Sequence, residues 1–345
     1  MNWIATGRNE SMLDIVKSAM RYILTLVSLL GATACSAAPK TFSANDPASP
    51  LTLERVIPLP DVAGRIDHLA IDVTHHQLFV AEYGNGTVDA IDLDAGRVIG
   101  RIRGLNEPQG IAVLAGGQQV IVACGDGAVH FYATDDRHEI ARLMLGDDAD
   151  NVQIDTRNGH VVVGYGGGGL AVIDAVTHRV LSRLSLTGHP EGFELLGSRI
   201  FANVPDRGSI LVGDIDTGRI TATWSTGTHR LNFPMAVDLA GRWLALAYRF
   251  PAALQMRDAA SGDVIATHSA CGDADDLFVD RDRAYLICGT GHVDVFPTPK
   301  PEDQWVRVTT SPGARTGIFV PELKRLFVAV PARGGNAAIW VLRIN

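Results

Sequence analysis

Asp67, Asp150, Glu191 and Asp275 directly precede His68, Asn151, Gly192 and Asp276, and those four followers recur at one phase of the chain. Around them, in the same phase or one residue off it, stand Gln109, Asn232 and Arg315, with His189 two residues before Glu191. Carboxylate and carboxamide oxygens suit a hard cation such as calcium or magnesium, so Asp67, Asp150, Glu191 and Asp275 are the candidate metal ligands. The same group could instead work on an organic ligand. His68 or His189 would then serve as base, Glu191 as acid or base, and Arg315 would meet developing negative charge. Two like charges about 4 Å apart cost on the order of 4 kcal/mol at an effective dielectric near 20. If the four acids converge, a cation, Arg315 or protonation must compensate them. The competing reading is structural, because Asp and Asn are ordinary turn residues that satisfy backbone groups at strand ends. Recognised local motifs are lacking: no HExxH zinc spacing, no G-x-S-x-G elbow, no P-loop and no CxxCH run.

Convergence depends on what carries these residues. Positions His68, Gly110, Asn151, Gly192, Pro234, Asp276 and Gly317 are separated by 42, 41, 41, 42, 42 and 41 residues. An apolar run follows each, as in Leu69-Ala70-Ile71, Ile111-Ala112-Val113 and Ile318-Phe319-Val320, and a second run follows about ten residues later. The copy at 150–190 shows the unit most plainly: four short β-branched runs separated by turn residues, with no helical period. Its glycines, Gly166 to Gly169, join two strands and open no helix, so they make a hairpin and not a phosphate cradle. A four-stranded unit of this length, repeated seven times, predicts an all-β, seven-bladed β-propeller. In such a ring the loops leading into the first strands and those joining second to third strands share one face around the central channel. The seventh copy has room for only three strands before Asn345, and residues 51–60 resemble an outer strand. They are expected to complete the last blade and close the ring, which removes exposed sheet edges.

Ahead of the ring, residues 1–34 read as a targeting segment. Arg8, Lys17 and Arg21 precede a short apolar core, Tyr22 to Leu30, and a small-residue site, Ala32-Thr33-Ala34. Translation starts at Met1, Met12 or Met20. Cys35 follows that site directly, so two outcomes stay open: a lipidated Cys35 anchoring the chain to a membrane, or a plain cleaved signal. Residues 35–50 are expected to be a flexible tether. Both outcomes mean export, to the periplasm or to an outer-membrane-anchored lipoprotein. In that compartment Cys271 and Cys288 could pair, with Cys288 expected opposite Asp275, or both could remain free thiols.

The net charge is −8 and no run of Lys or Arg occurs, so nucleic-acid binding lacks its electrostatic footprint. The segments Gly64-Arg65-Ile66-Asp67-His68, Glu107-Pro108-Gln109-Gly110, Gly188-His189-Pro190-Glu191, Asp273-Ala274-Asp275-Asp276 and Gly313-Ala314-Arg315-Thr316 give the chain a recognisable look. It resembles the exported bacterial YVTN-type propellers, the YncE-like group, over roughly residues 51–345. The resemblance implies the propeller fold and export, and no reaction. The leading expectation is a monomeric exported propeller binding a small molecule, a cation or an envelope protein at the leading-loop face. Its ligand residues would be Asp67, His68, Gln109, Asp150, Asn151, Glu191, Asn232, Asp275, Asp276 and Arg315. A metal-assisted lactonase or lyase and a pure interaction scaffold are the alternatives.

Overall fold

The computed structural model describes residues 39–238, 240–298, 304–333 and 335–345. The targeting segment and Cys35 lie outside the described residues. Seven four-stranded antiparallel sheets form the blades, and their first strands begin at Leu69, Pro108, Ala149, Phe193, Arg230, Ala274 and Gly317. They are numbered one to seven here in that order. The expected seam is present: Leu51–Pro58 pairs antiparallel with Ala338–Ile344 and becomes the outer strand of blade seven. Leu51, Ile57 and Leu59 are fully buried there.

The ring follows from alternation within the second strands. Successive side chains of a strand point to opposite faces, and each blade is covered on both. Val161 and Val163 of blade three therefore pack with Ile121 and Ala123 of blade two. Val162, between them, packs with Ile200 and Ala202 of blade four. The same rule joins Ile57, Phe327 and Ile339 of blade seven to Leu78, Val80 and Ile91 of blade one. A strand buried on both faces has to be apolar throughout, as Gln77–Glu82 nearly is. The outer strands alternate, as the exposure pattern of Arg179–Ser185 shows, because one face meets solvent.

Two sequence expectations are corrected. Residues 39–50 are not a free tether throughout: Lys40–Ser43 pairs parallel with Val306–Thr309 as a fifth strand on blade six. Phe42, Ala44 and Ser49 are buried, so this stretch covers an edge that would otherwise stay open. Cys271 and Cys288 form a disulfide with a Cα–Cα distance of 5.9 Å, but Cys288 faces Ala274 and not Asp275. The shift of one comes from a bulge between Ala274 and Asp276.

That bulge belongs to a repeated device. The first strands of blades two, three, five and six all break register at the axial end, between Pro108 and Ile111, Ala149 and Val152, Asn232 and Met235, and Ala274 and Asp276. The residue before each broken stretch has left-handed backbone: Glu107 at φ 53°, Asp148 at 42°, Leu231 at 60° and Asp273 at 59°. In three of these blades its carbonyl accepts a hydrogen bond from a glycine after the second strand, Gly125, Gly166 or Gly289. A non-glycine residue in this region costs about 1–2 kcal/mol, so four copies mark a geometry that the rest of the blade enforces.

Candidate functional site

The bulges decide where the chemistry goes. A bulge re-aims the side chain that it carries, and Gln109, Asp150, Asn151 and Asp275 all occupy these irregular stretches. They lie inside the first strands and not in the preceding loops, as the plain repeat had suggested. Of these, Asn151 and Asp275 border a cavity of about 200 Å³ at the axis, whose other polar lining residues are His68, Gln153, Glu191, Glu194 and Asp276. Phe233, Met235, Leu277, Phe278 and Ile318 supply apolar wall.

Most of the converging acids meet a cation of the protein itself. Arg65 Nη2 lies 2.6 Å from Asp67 Oδ2. His68 Nδ1 is 3.3 Å from Asp276 Oδ1, and its Nε2 is 3.9 Å from Asp67 Oδ1. Asp276 Oδ2 also accepts the Gly317 N–H at 2.7 Å. Asp275 sits between two guanidiniums, with Arg249 Nη2 at 2.5 Å and Arg315 Nε at 2.9 Å. Asp273 bridges the same pair, 3.5 Å from Arg249 Nη1 and 3.2 Å from Arg315 Nη1. Arg249 lies over the Phe233 ring at 3.9 Å, which holds its fork in place.

Asp150 and Glu191 are different. Asp150 is 8% exposed, its Oδ1 has no hydrogen-bond partner, and no ion pair reaches it among the described residues. Burial first, then the neighbouring Asp67 and Glu191, push its carboxyl up to about 8, against the pull of His68. Glu191 also lacks an ion pair among the described residues. Burial and Asp275 raise it to about 7, with Arg249 and His68 opposing. Asp275, despite its two arginines, is raised by burial to about 6. Deeper in the cavity, burial raises Glu194 to about 8, opposed only by a hydrogen bond with Gln153. Burial acts to lower His68, yet the carboxylates of Asp276, Asp67 and Asp150 outweigh it and hold the imidazole well above its ordinary value. The arrangement sets a protonated His68 and an Asp275 held ionised by two arginines beside Asp150 and Glu194, which keep their protons at pH 7, and Glu191, which is about half ionised there.

Not every expected residue reaches the cavity. Asn232 is fully buried within the blade and donates to Asn203 Oδ1 at 2.9 Å and to the Ser209 carbonyl at 3.1 Å. Gln109 turns aside to Asp148 Oδ1 at 3.1 Å. His189 donates from Nδ1 to the Gly166 carbonyl at 2.7 Å, a role that orients its loop. The four candidate metal ligands do not place three ligand atoms within 4.8 Å of one another. Among the described residues the one such group, Asp135, Asp136 and His138, is exposed and lies away from the cavity. Arg65, Asp273, Gln153 and Glu194 were missed as site residues, and Arg249, expected on this face, was not among the expected ligand residues. Glu194 and Gln153 had a signal, since each lies two residues beyond a repeat anchor and therefore on the anchor's face.

No family model matches the chain, and no curated protein does. Among solved structures, hydrazine synthase of Kuenenia stuttgartiensis superposes with a TM-score of 0.74 at 16% identity, covering 83% of this chain and 97% of that one. The RRP9 WD40 repeats superpose with a TM-score of 0.75 at 8% identity, covering 86% of this chain and 100% of that one. At such identities the likeness is one of fold: the chain is a seven-bladed β-propeller with a polar, charge-lined axial cavity.

Proposed function

We propose that this propeller is a binding protein whose axial cavity takes a small organic cation, an ammonium or amidinium group, at Glu191 on its wall and the neighbouring buried Asp150. The observation that carries the reading is the buried, unpartnered Oδ1 of Asp150 beside unpaired Glu191, next to Asp67, Asp275 and Asp276, which all have protein cations. A buried carboxyl without a partner costs roughly 1–3 kcal/mol, which a cationic guest would offset by pairing with it. An organic cation fits better than a bare metal ion, because the oxygens are not gathered at coordination distance. Charging Asp150 and Glu191 on binding releases their protons, so affinity should rise between about pH 6 and 9. The test is calorimetric titration with a primary alkylamine, an aliphatic diamine and calcium, in buffers of different ionisation enthalpy. Amine binding with proton release, lost in Asp150→Asn, supports the reading. Calcium binding alone, or an unaffected variant, overturns it.

A second reading, an acid–base enzyme at the same cavity, draws on Glu191 near neutrality opposite a charged His68. Turnover of a lactone panel, abolished by Glu191→Gln, would favour it over simple binding. Export and monomeric state remain part of the proposal. Mass spectrometry of the mature N-terminus in wild type and Cys35→Ser distinguishes a lipid anchor from a plain signal.

A further inference from the structure

A second cavity on the same face has the opposite chemistry. It has a volume of about 280 Å³ and lies where blades six, seven and one meet. Its lining includes Gly64, Arg65, Asp273, Gly313, Arg315 and Arg333. Three guanidiniums therefore border one space. Counting Arg249 with them, four arginines face the three carboxylates Asp67, Asp273 and Asp275, and the pairs formed leave one positive charge over. Arg333 is the member without a carboxylate: it makes no ion pair among the described residues and is exposed. Arg65 Nε is buried and has no hydrogen-bond acceptor, although the group is charged and stacked on Tyr83 at 4.7 Å.

The backbone keeps this space open. Gly64 and Gly313 have φ of 80° and 89°, a region side chains rarely enter. A Cβ on Gly313 would stand 2.7 Å from Arg333 Nε, so glycine is what lets that guanidinium lie across the cavity.

The geometry points to an oxyanion site at Arg65, Arg315 and Arg333, selective for a carboxylate or phosphate group on a small molecule. Guanidinium forks match the paired oxygens of both groups and bind them through charge-assisted hydrogen bonds. Asp273 sets a limit on the site, since it shares Arg315 and repels any anion that cannot displace it to Arg249. The site stands apart from the cation reading of the axial cavity and does not depend on it.

The test is titration calorimetry of the purified protein with inorganic phosphate and, separately, with acetate. Wild type should bind at least one of them, and the one bound identifies the source of the oxyanion. Arg333→Gln should weaken that binding about tenfold or more, and Arg333→Glu should abolish it, both without changing the melting temperature. His75→Ala, on an exposed turn outside both cavities, should leave it unchanged. Failure of both anions to bind wild type overturns the site, as does wild-type affinity in Arg333→Gln. Binding that survives in Arg333→Glu would put the anion elsewhere and also overturn it.

Discussion

Asp150 is the residue at which stability and function should pull apart. Its carboxyl is raised on folding, so the folded protein keeps a proton that the unfolded chain gives up at its ordinary value of 3.8. Folding stability therefore falls as pH rises from that value to about 8, and levels off once the folded group also ionises. Asp150→Asn should flatten this dependence and stabilise the protein above pH 8 by on the order of 1–3 kcal/mol. Thermal melts of both proteins across pH 4 to 9 check this, and parallel curves would show that Asp150 is compensated by a group inside the protein. Arg249 makes the opposite case. Arg249→Gln removes one of two partners from both Asp275 and Asp273. It should cost about 1–3 kcal/mol, because Arg315 still pairs with both, and Arg249→Lys should recover only part because the fork on Phe233 is lost.

Among the elements, the stretch 271–276 is tied down by a disulfide and carries three of the site's paired carboxylates, Asp273, Asp275 and Asp276. The disulfide from Cys271 to Cys288 spans 17 residues and ties this stretch to the end of the second strand of blade six. The Cys271 N–H also donates to Asp294 Oδ2 at 2.7 Å, and Arg307 holds that carboxylate with two hydrogen bonds. Closing a loop of this size is worth about 3 kcal/mol in chain entropy. Reduction, or the double change Cys271→Ser with Cys288→Ser, should lower the melting temperature correspondingly. It should also weaken binding at the axial cavity, because Asp273 and Asp275 lose their anchor. A reduced protein with the same melt and the same affinities would assign the positioning to the bulge alone.

For the whole ring, closure is the main structural requirement. Leu51, Ile57 and Leu59 are fully buried across the seam between blade seven and its neighbours. Each is worth roughly 1.5–3 kcal/mol of burial. Removing residues 51–60 also leaves Ala338–Ile344 as an unpaired edge. That truncation should aggregate or melt far below the parent. Removing only residues 39–46 strips the fifth strand from blade six and buries less, so a measurable but smaller loss is expected. Equal melting temperatures for the two truncations would contradict the closure.

The order of amino acids was sufficient for the ring, the blade count and the closing strand, because a repeat of 41 or 42 residues is a local pattern that every copy writes again. It was sufficient, too, for the face on which His68, Asp150, Glu191 and Asp275 would gather, since phase within a repeat becomes position around an axis. Which acids are neutralised was settled only in three dimensions. Arg315 and Asp273 are 42 apart, one repeat, but Arg249 and Asp275 are 26 apart, off the period, so phase alone does not say which arginine meets which acid. The single-residue bulges, which turn Asp150 and Asp275 to the axis and leave Asn232 inside its blade, shift register without altering the apolar pattern. Ion pairing falls off over a few ångströms, a finer scale than repeat phase, so it depends on how neighbouring blades stagger when they pack.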